Sequence, residues 1–151
     1  MKNSSYLFGV MSGTSLDGID IILINYKNKK IQIIEFIQVP YKYDIKKKFL
    51  ALHSNQSSDL KKSIELSLLH AKITAKGINH ILKKLKLEAK NIKCIGYHGQ
   101  TIRHFPDSGY SLQLGNANLL AELTNITVIS DFRNRDIVAG GQGAPLVPAF
   151  H

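Results

Sequence analysis

Residues 9–20 read Gly9-Val-Met-Ser-Gly-Thr-Ser-Leu-Asp-Gly-Ile-Asp20: an apolar run leads into Ser12-Gly13-Thr14-Ser15-Leu16-Asp17-Gly18, and a second apolar run leads out. Two strands joined by such a turn make a hairpin whose tip is built of small residues, hydroxyls and backbone amides. Successive N–H groups in a turn can surround an anion, and glycine lets a ligand approach the backbone closely. The chemistry on offer is a phosphate-holding loop with Asp17 or Asp20 near a metal ion. An ordinary hairpin uses the same residues, because glycine and aspartate favour turns for their own reasons.

Three further polar clusters follow apolar runs: Tyr97-His98-Gly99-Gln100-Thr101, Asp131-Phe-Arg133-Asn-Arg135-Asp136 and Gly140-Gly141-Gln142-Gly143-Ala144-Pro145. A histidine, an amide and a hydroxyl within one turn can grip a hydroxyl-rich ligand; a self-satisfied structural turn is equally compatible. Adjacent aspartate and arginine suit either an ion pair or a clamp on a carboxylate or phosphate. The glycine-rich stretch suits a loop over a ligand or a hinge. Other chemistries fail. His98, His104 and Asp107 match no familiar metal spacing, Cys94 sits in an apolar run as a small buried residue, and neither a Gly-x-Ser-x-Gly nor a Walker-type segment is present.

The elements that must position these clusters follow from periodicity. Strands are predicted over 5–12, 19–26 and 31–39, the last alternating and rich in β-branched residues, with Pro40 ending the set. A short helix is predicted over 44–53. In the next helix Leu60, Ile64, Leu68, Ala71, Ala75, Ile78, Leu82 and Leu85 recur at steps of four and three, a stripe read as core packing without chemistry. Ser57 or Ser58 can cap its start, with Asp59 in the first turn and Lys83, Lys84 and Lys86 near its C-terminal dipole. Then come a strand over 92–97, a loop from His98, a strand over 110–114, a helix over 116–124, a strand over 126–130 and loop-like chain from Asp131. This order, opening with antiparallel strands, predicts an α/β domain with a mixed sheet, whose strand ends are natural ligand sites.

A length of 151 residues with 44% hydrophobic content suits one domain with a sizeable core. The net charge of +9 comes from 20 basic residues of which only Arg103, Arg133 and Arg135 are arginine. The lysines are dispersed beside apolar residues at helical spacing, a solvated-face pattern, so nucleic acid is not an expected partner. The first apolar stretch is interrupted too early for a signal peptide or membrane span, and one cysteine excludes a disulfide framework; cytoplasmic residence without membrane contact is the expectation.

Taken in order, residues 10–20, Tyr97-His-Gly-Gln-Thr101, Leu112-Gln-Leu-Gly115, Asp131-Phe-Arg133 with Arg135-Asp136, and Gly140-Gly-Gln-Gly-Ala-Pro-Leu-Val-Pro-Ala-Phe-His151 resemble the anhydro-N-acetylmuramic acid kinase family. The resemblance implies a ribonuclease-H-like domain of the actin/sugar-kinase/heat-shock ATPase fold, in which two such domains close around ATP. It implies ATP- and water-dependent opening of the 1,6-anhydro ring of anhydro-N-acetylmuramic acid, giving the 6-phosphate sugar in cell-wall recycling. The family pattern places Gly13, Thr14, Ser15, Leu16, Asp17, Gly18, Ile19 and Asp20 on the ATP phosphates, with Asp17 serving Mg²⁺. It places His98, Gln100, Asp131 and Arg133 on the sugar, Arg133 being the better candidate for the lactyl carboxylate.

There are departures from the family. Ser130 stands where members commonly have glycine, and the family is more than twice as long. Its Asp-Thr-Gly-Pro-Gly-Asn segment, whose aspartate is expected to activate the attacking water, has no counterpart here. The expectation is therefore a first domain, incomplete at its C-terminal end and lacking the second. By itself such a domain has negligible kinase activity. It is either a shortened member or remnant, or a half that pairs with a separately encoded second half; homodimerisation is a further option, and a basic nucleic-acid-binding module is the remaining alternative.

Overall fold

The computed structural model describes residues 4–53 and 59–146. It opens with three strands, β1 (Ser4–Ser12), β2 (Gly18–Lys27) and β3 (Lys30–Pro40), antiparallel in sequence. Helices α1 (Tyr43–His53) and α2 (Leu60–Leu85) follow, then β4 (Ile92–Phe105), β5 (Tyr110–Leu114), α3 (Ala117–Thr124), β6 (Val128–Ser130) and α4 (Phe132–Ile137). The sheet is mixed and six-stranded, in the order β3-β2-β1-β4-β5, with β6 also pairing β4. β1, β4 and β6 run parallel, so Val10, Tyr97 and Ser130 lie in one row and the C-terminal ends of the three strands share one edge of the sheet. This is the mixed α/β architecture expected of a sugar-kinase domain of that fold.

Alternation on β1, β2 and β4 sends Phe8, Val10, Ile19, Ile21, Leu23, Ile95 and Tyr97 to one face. There they join Phe49 and Leu52 of α1, Ile78 and Ile81 of α2, and Leu120 of α3 in a single core. Each such side chain contributes about 1.5–3 kcal/mol relative to exposure. Cys94 on β4 is a free thiol and only partly buried, against the expectation of a buried residue. Among the described residues no helix is long and apolar enough to cross a membrane.

The sequence-based reading needs three corrections. The chain does not become a loop at His98: β4 continues through Gln100 to Phe105, because residues 100–105 find a second antiparallel partner in β5. The stretch after Asp131 is not loop throughout, since α4 forms at once, with Asp131 as its N-cap in the left-handed conformation (φ 64°). On α2 the expected stripe is buried at Ala71, Ala75, Ile78 and Leu82 but not at its start, and the buried face is wider than the stripe. Leu60 and Ile64 are 75% and 54% exposed, whereas Leu66, His70, Thr74, Gly77 and Ile81 face inward. The helix backbone approaches β2 closely at Gly77, where a Cβ would lie 2.5 Å from Cδ1 of Ile21. Seating the helix backbone on β2 there carries His70, seven residues earlier and two turns away, to the buried side.

Asp59 itself caps α2, its carboxylate accepting from the backbone N–H of Lys62 at 3.1 Å. Ser57 and Ser58, the expected caps, lie outside the described residues. Asp59→Ala is expected to cost about 1 kcal/mol in urea-unfolding stability, and a loss indistinguishable from zero would show that the cap is idle.

Candidate functional site

The turn between β1 and β2 stands at the shared strand-end edge. Its tip presents Thr14, Ser15 and Asp17 to solvent, while Ser12, Leu16, Gly18 and Ile19 are buried. Leu16 adopts φ 56° and is 1% exposed, so its side chain anchors the tip in the core. Leu16 and Ile19, both predicted ligand residues, can thus offer only backbone groups. The N–H of Leu16 donates to the carbonyl of Gly13 at 3.2 Å, closing the turn. Asp17 is held below the usual carboxylate range by a hydrogen bond from Ser15 and by the ammonium of Lys46 at 3.3 Å. Asp20, further along β2, accepts from the Gln38 amide at 2.9 Å.

Beneath the tip lies a chain of polar groups in an otherwise apolar core. His70 is fully buried, with Nε2 2.7 Å from Ser12 Oγ and Nδ1 2.6 Å from the Tyr97 hydroxyl. The Tyr41 hydroxyl reaches Gln100 Oε1 at 3.3 Å and Ser12 Oγ at 3.5 Å. Gln100 Nε2 donates to the Gly13 carbonyl at 3.0 Å. Burial drives the His70 imidazole down to about 3 and the Tyr41 phenol up to about 12, so both are neutral at physiological pH. A Ser–His contact of this length invites a nucleophile reading. With Ser12 at 1% and His70 at 0% exposure, no substrate reaches either group.

Beside the turn, a pocket of about 260 Å³ is bounded by Tyr97, His98, Gln113, Gly115, Asp131 and Asn134, among others. Arg133 Nε donates to His98 Nε2 at 2.8 Å, which leaves Nδ1 as the protonated nitrogen donating to the Gly99 carbonyl at 2.7 Å. Burial, and secondarily the guanidinium, lower the His98 pKa against the opposing effect of that carbonyl. Arg133 Nη1 also donates to the Gly143 carbonyl at 2.7 Å, and Asp136 accepts from the Gly143 N–H at 2.8 Å. The glycine-rich segment is therefore fastened to α4 at both groups of Gly143. Asp131 accepts from Asn134 at 2.7 Å, and Asn134 in turn accepts from the backbone of Ser111.

The structure brings His98 and Asp131 together in the lining of this pocket, and Arg133 is joined to it through its hydrogen bond to His98. Gln100 is placed elsewhere: fully buried, its amide is taken by Gly13 and Tyr41 beneath the turn. His70 escaped the sequence reading altogether, which assigned α2 no chemistry. The available signal was a histidine and a threonine four residues apart inside an apolar helix pattern. Gln113 was also missed; its Oε1 is buried in the pocket wall without a partner. Among the described residues no three histidine, cysteine, aspartate or glutamate side chains gather as a metal site.

The profile of the family described as anhydro-N-acetylmuramic acid kinase matches residues 5–151. Proteins of that name from Pseudomonas syringae pv. tomato and Nitrosomonas europaea are 47% identical over 146 residues and 45% identical over 148. Each alignment covers 97% of this chain, but only 40% and 41% of the respective relative. One from Thiobacillus denitrificans is 45% identical over 144 residues, 38% of its length. The chain thus spans about two fifths of the length of the curated relatives it matches, over every motif of the site. It belongs to the anhydro-N-acetylmuramic acid kinase family.

Proposed function

We propose that these residues supply the phosphate and sugar contacts of an ATP-dependent kinase acting on 1,6-anhydro-N-acetylmuramic acid. In the proposed reaction water adds at C1, the bond from C1 to the bridging oxygen breaks, and O6 takes the γ-phosphoryl group of ATP, leaving ADP and the 6-phosphate sugar. The supporting observation is the juxtaposition of an exposed Thr14–Ser15–Asp17 tip and the His98–Asp131 pocket, with Arg133 hydrogen-bonded to His98, on one sheet edge in a chain of this family.

In this reading the backbone amides of residues 13–20 and the Thr14 and Ser15 hydroxyls bind phosphate oxygens. Ionised Asp17 exchanges Lys46 for Mg²⁺ or its waters. Magnesium would supply charge neutralisation on the phosphates. Asp131 takes sugar hydroxyls or the acetamido N–H, and Arg133, oriented by its hydrogen bond to His98, takes the lactyl carboxylate. The base that activates water and the adenine contacts belong to the part of the relatives that this chain does not span, so the 151 residues alone turn over negligibly. A general base contributes about 10²–10⁴-fold and positioning of ATP contributes more.

Titrating the ¹⁵N-labelled chain with Mg²⁺ and a non-hydrolysable ATP analogue is expected to move the amides of residues 13–20. Adding the anhydro sugar is expected to move those of 98 and 131–133. Arg133→Ala is expected to weaken the sugar titration about tenfold or more, the value of one charge-assisted contact. Shifts scattered away from the strand-end edge, or unchanged sugar affinity in the variant, would sink the assignment.

A further inference from the structure

We propose that His70 is a positioning residue for the phosphate turn, a neutral strut that fixes the end of β1 to helix α2 so that the backbone of residues 13–18 is held in shape before nucleotide arrives. The proposal rests on the reading of that turn as the phosphate contact.

The buried chain admits a proton order that satisfies every group. Thr74 Oγ1 donates to the His70 carbonyl at 2.9 Å, so its oxygen is left to accept from the Tyr97 hydroxyl, with which it interacts. Tyr97 then accepts from His70 Nδ1–H, leaving Nε2 to accept from the Ser12 hydroxyl. Ser12 Oγ and Gln100 Oε1 share the Tyr41 hydroxyl, and Gln100 ends the chain on the Gly13 carbonyl, the same carbonyl that closes the turn. The relay joins α2, β4, β1 and residue 41, which hydrogen-bonds back to the turn through its own N–H to the Asp17 carbonyl at 3.1 Å.

Apolar side chains of similar volume would fill this space without the desolvation cost of a buried imidazole. What they cannot do is fix direction. A phosphate cradle works only if its N–H groups converge before the anion arrives, and disordered amides surrender affinity as ordering entropy. His70 also touches no solvent and Ser12 is capped by it, so neither group can act on substrate directly.

The test is hydrogen exchange of individual amides in the 151-residue chain carrying His70→Gln, Ser12→Ala or both. Ile78→Val, a core change remote from the relay, serves as the control, and exchange is compared at denaturant concentrations giving equal global stability. Both relay variants are expected to accelerate exchange at Thr14–Gly18 about tenfold or more beyond the control. The double variant is expected to add nothing further, because each single change already breaks the chain. Exchange at those amides no faster than in Ile78→Val, or full additivity, would overturn the strut. Titrating the unsubstituted chain with the Mg²⁺–nucleotide analogue separates the two ideas: silent amides at 13–18 there remove the phosphate reading, while the exchange result alone decides whether His70 organises the turn.

Discussion

Gly18→Ala is expected to lower the thermal midpoint of this domain by about 6–12 °C, whereas Gly13→Ala leaves it within about 1 °C. The two glycines bracket the same turn and look interchangeable in sequence. At Gly18, the first residue of β2, a Cβ would sit 2.4 Å from the Val39 carbonyl oxygen and 2.9 Å from the Pro40 Cα. Both are backbone atoms of the paired strand β3, which cannot swing aside as a side chain can. Relief requires opening the β2–β3 ladder at its Gly18–Pro40 end. Overpacking of this kind costs about 1–3 kcal/mol, and a change of 1 kcal/mol moves the midpoint of a domain this size by about 2–4 °C. The upper end of that cost applies because the clash is with main chain, which no rotamer change relieves. At Gly13 the nearest atom to a Cβ is Ser15 Oγ at 3.5 Å, an ordinary contact. Differential scanning calorimetry of the two variants checks the contrast; equal shifts would show that the turn is not pinned where β2 meets β3.

Acidification between pH 7 and pH 5 is expected to remove about 2 kcal/mol of stability through His70 alone. Its imidazole titrates near 6.5 when unfolded and is held at about 3 in the fold, by burial first and by the nearby His98 second. Between those values the unfolded chain binds a proton that the folded chain refuses. The contribution is therefore whole above the unfolded value and drains away as pH falls toward the folded one. His98, lowered mainly by burial and also by Arg133, acts in the same direction. Urea unfolding at several pH values is expected to show a slope that flattens in His70→Gln, whatever that variant's stability at pH 7. Parallel curves for the two proteins would mean that His70 is protonated in the fold.

Much of the architecture was legible in the sequence because it rests on local rules. Alternating apolar residues specify β1 to β3, the turn chemistry of residues 13–18 specifies the hairpin, and the 3.6-residue pattern specifies α2. The five motif blocks in order were enough to point to the family. Polar clusters after apolar runs pointed to one edge of the sheet as a candidate site, and the parallel register of β1, β4 and β6 brings Ser12, His98 and Asp131 to that edge.

What the sequence could not determine depends on where one element lies against another. Periodicity allows α2 several rotations that differ by a fraction of a turn. The contact of Gly77 with Ile21 seats the helix on β2 and puts His70, two turns earlier, on the buried side, while Leu60 at the helix start stays exposed. Gln100 reads as a sugar contact in a linear motif, yet the pairing of β4 with β1 sets it opposite Ser12 and turns its amide to Gly13. His98 and Arg133 are 35 residues apart, and only the return of the chain through β6 into α4 brings them within 2.8 Å. Residue types and their spacing thus determined which chemistry the chain carries and which strands present it. Long-range packing decided which polar groups stand exposed at the strand ends and which are buried beneath them, because that choice turns on contacts no local pattern encodes.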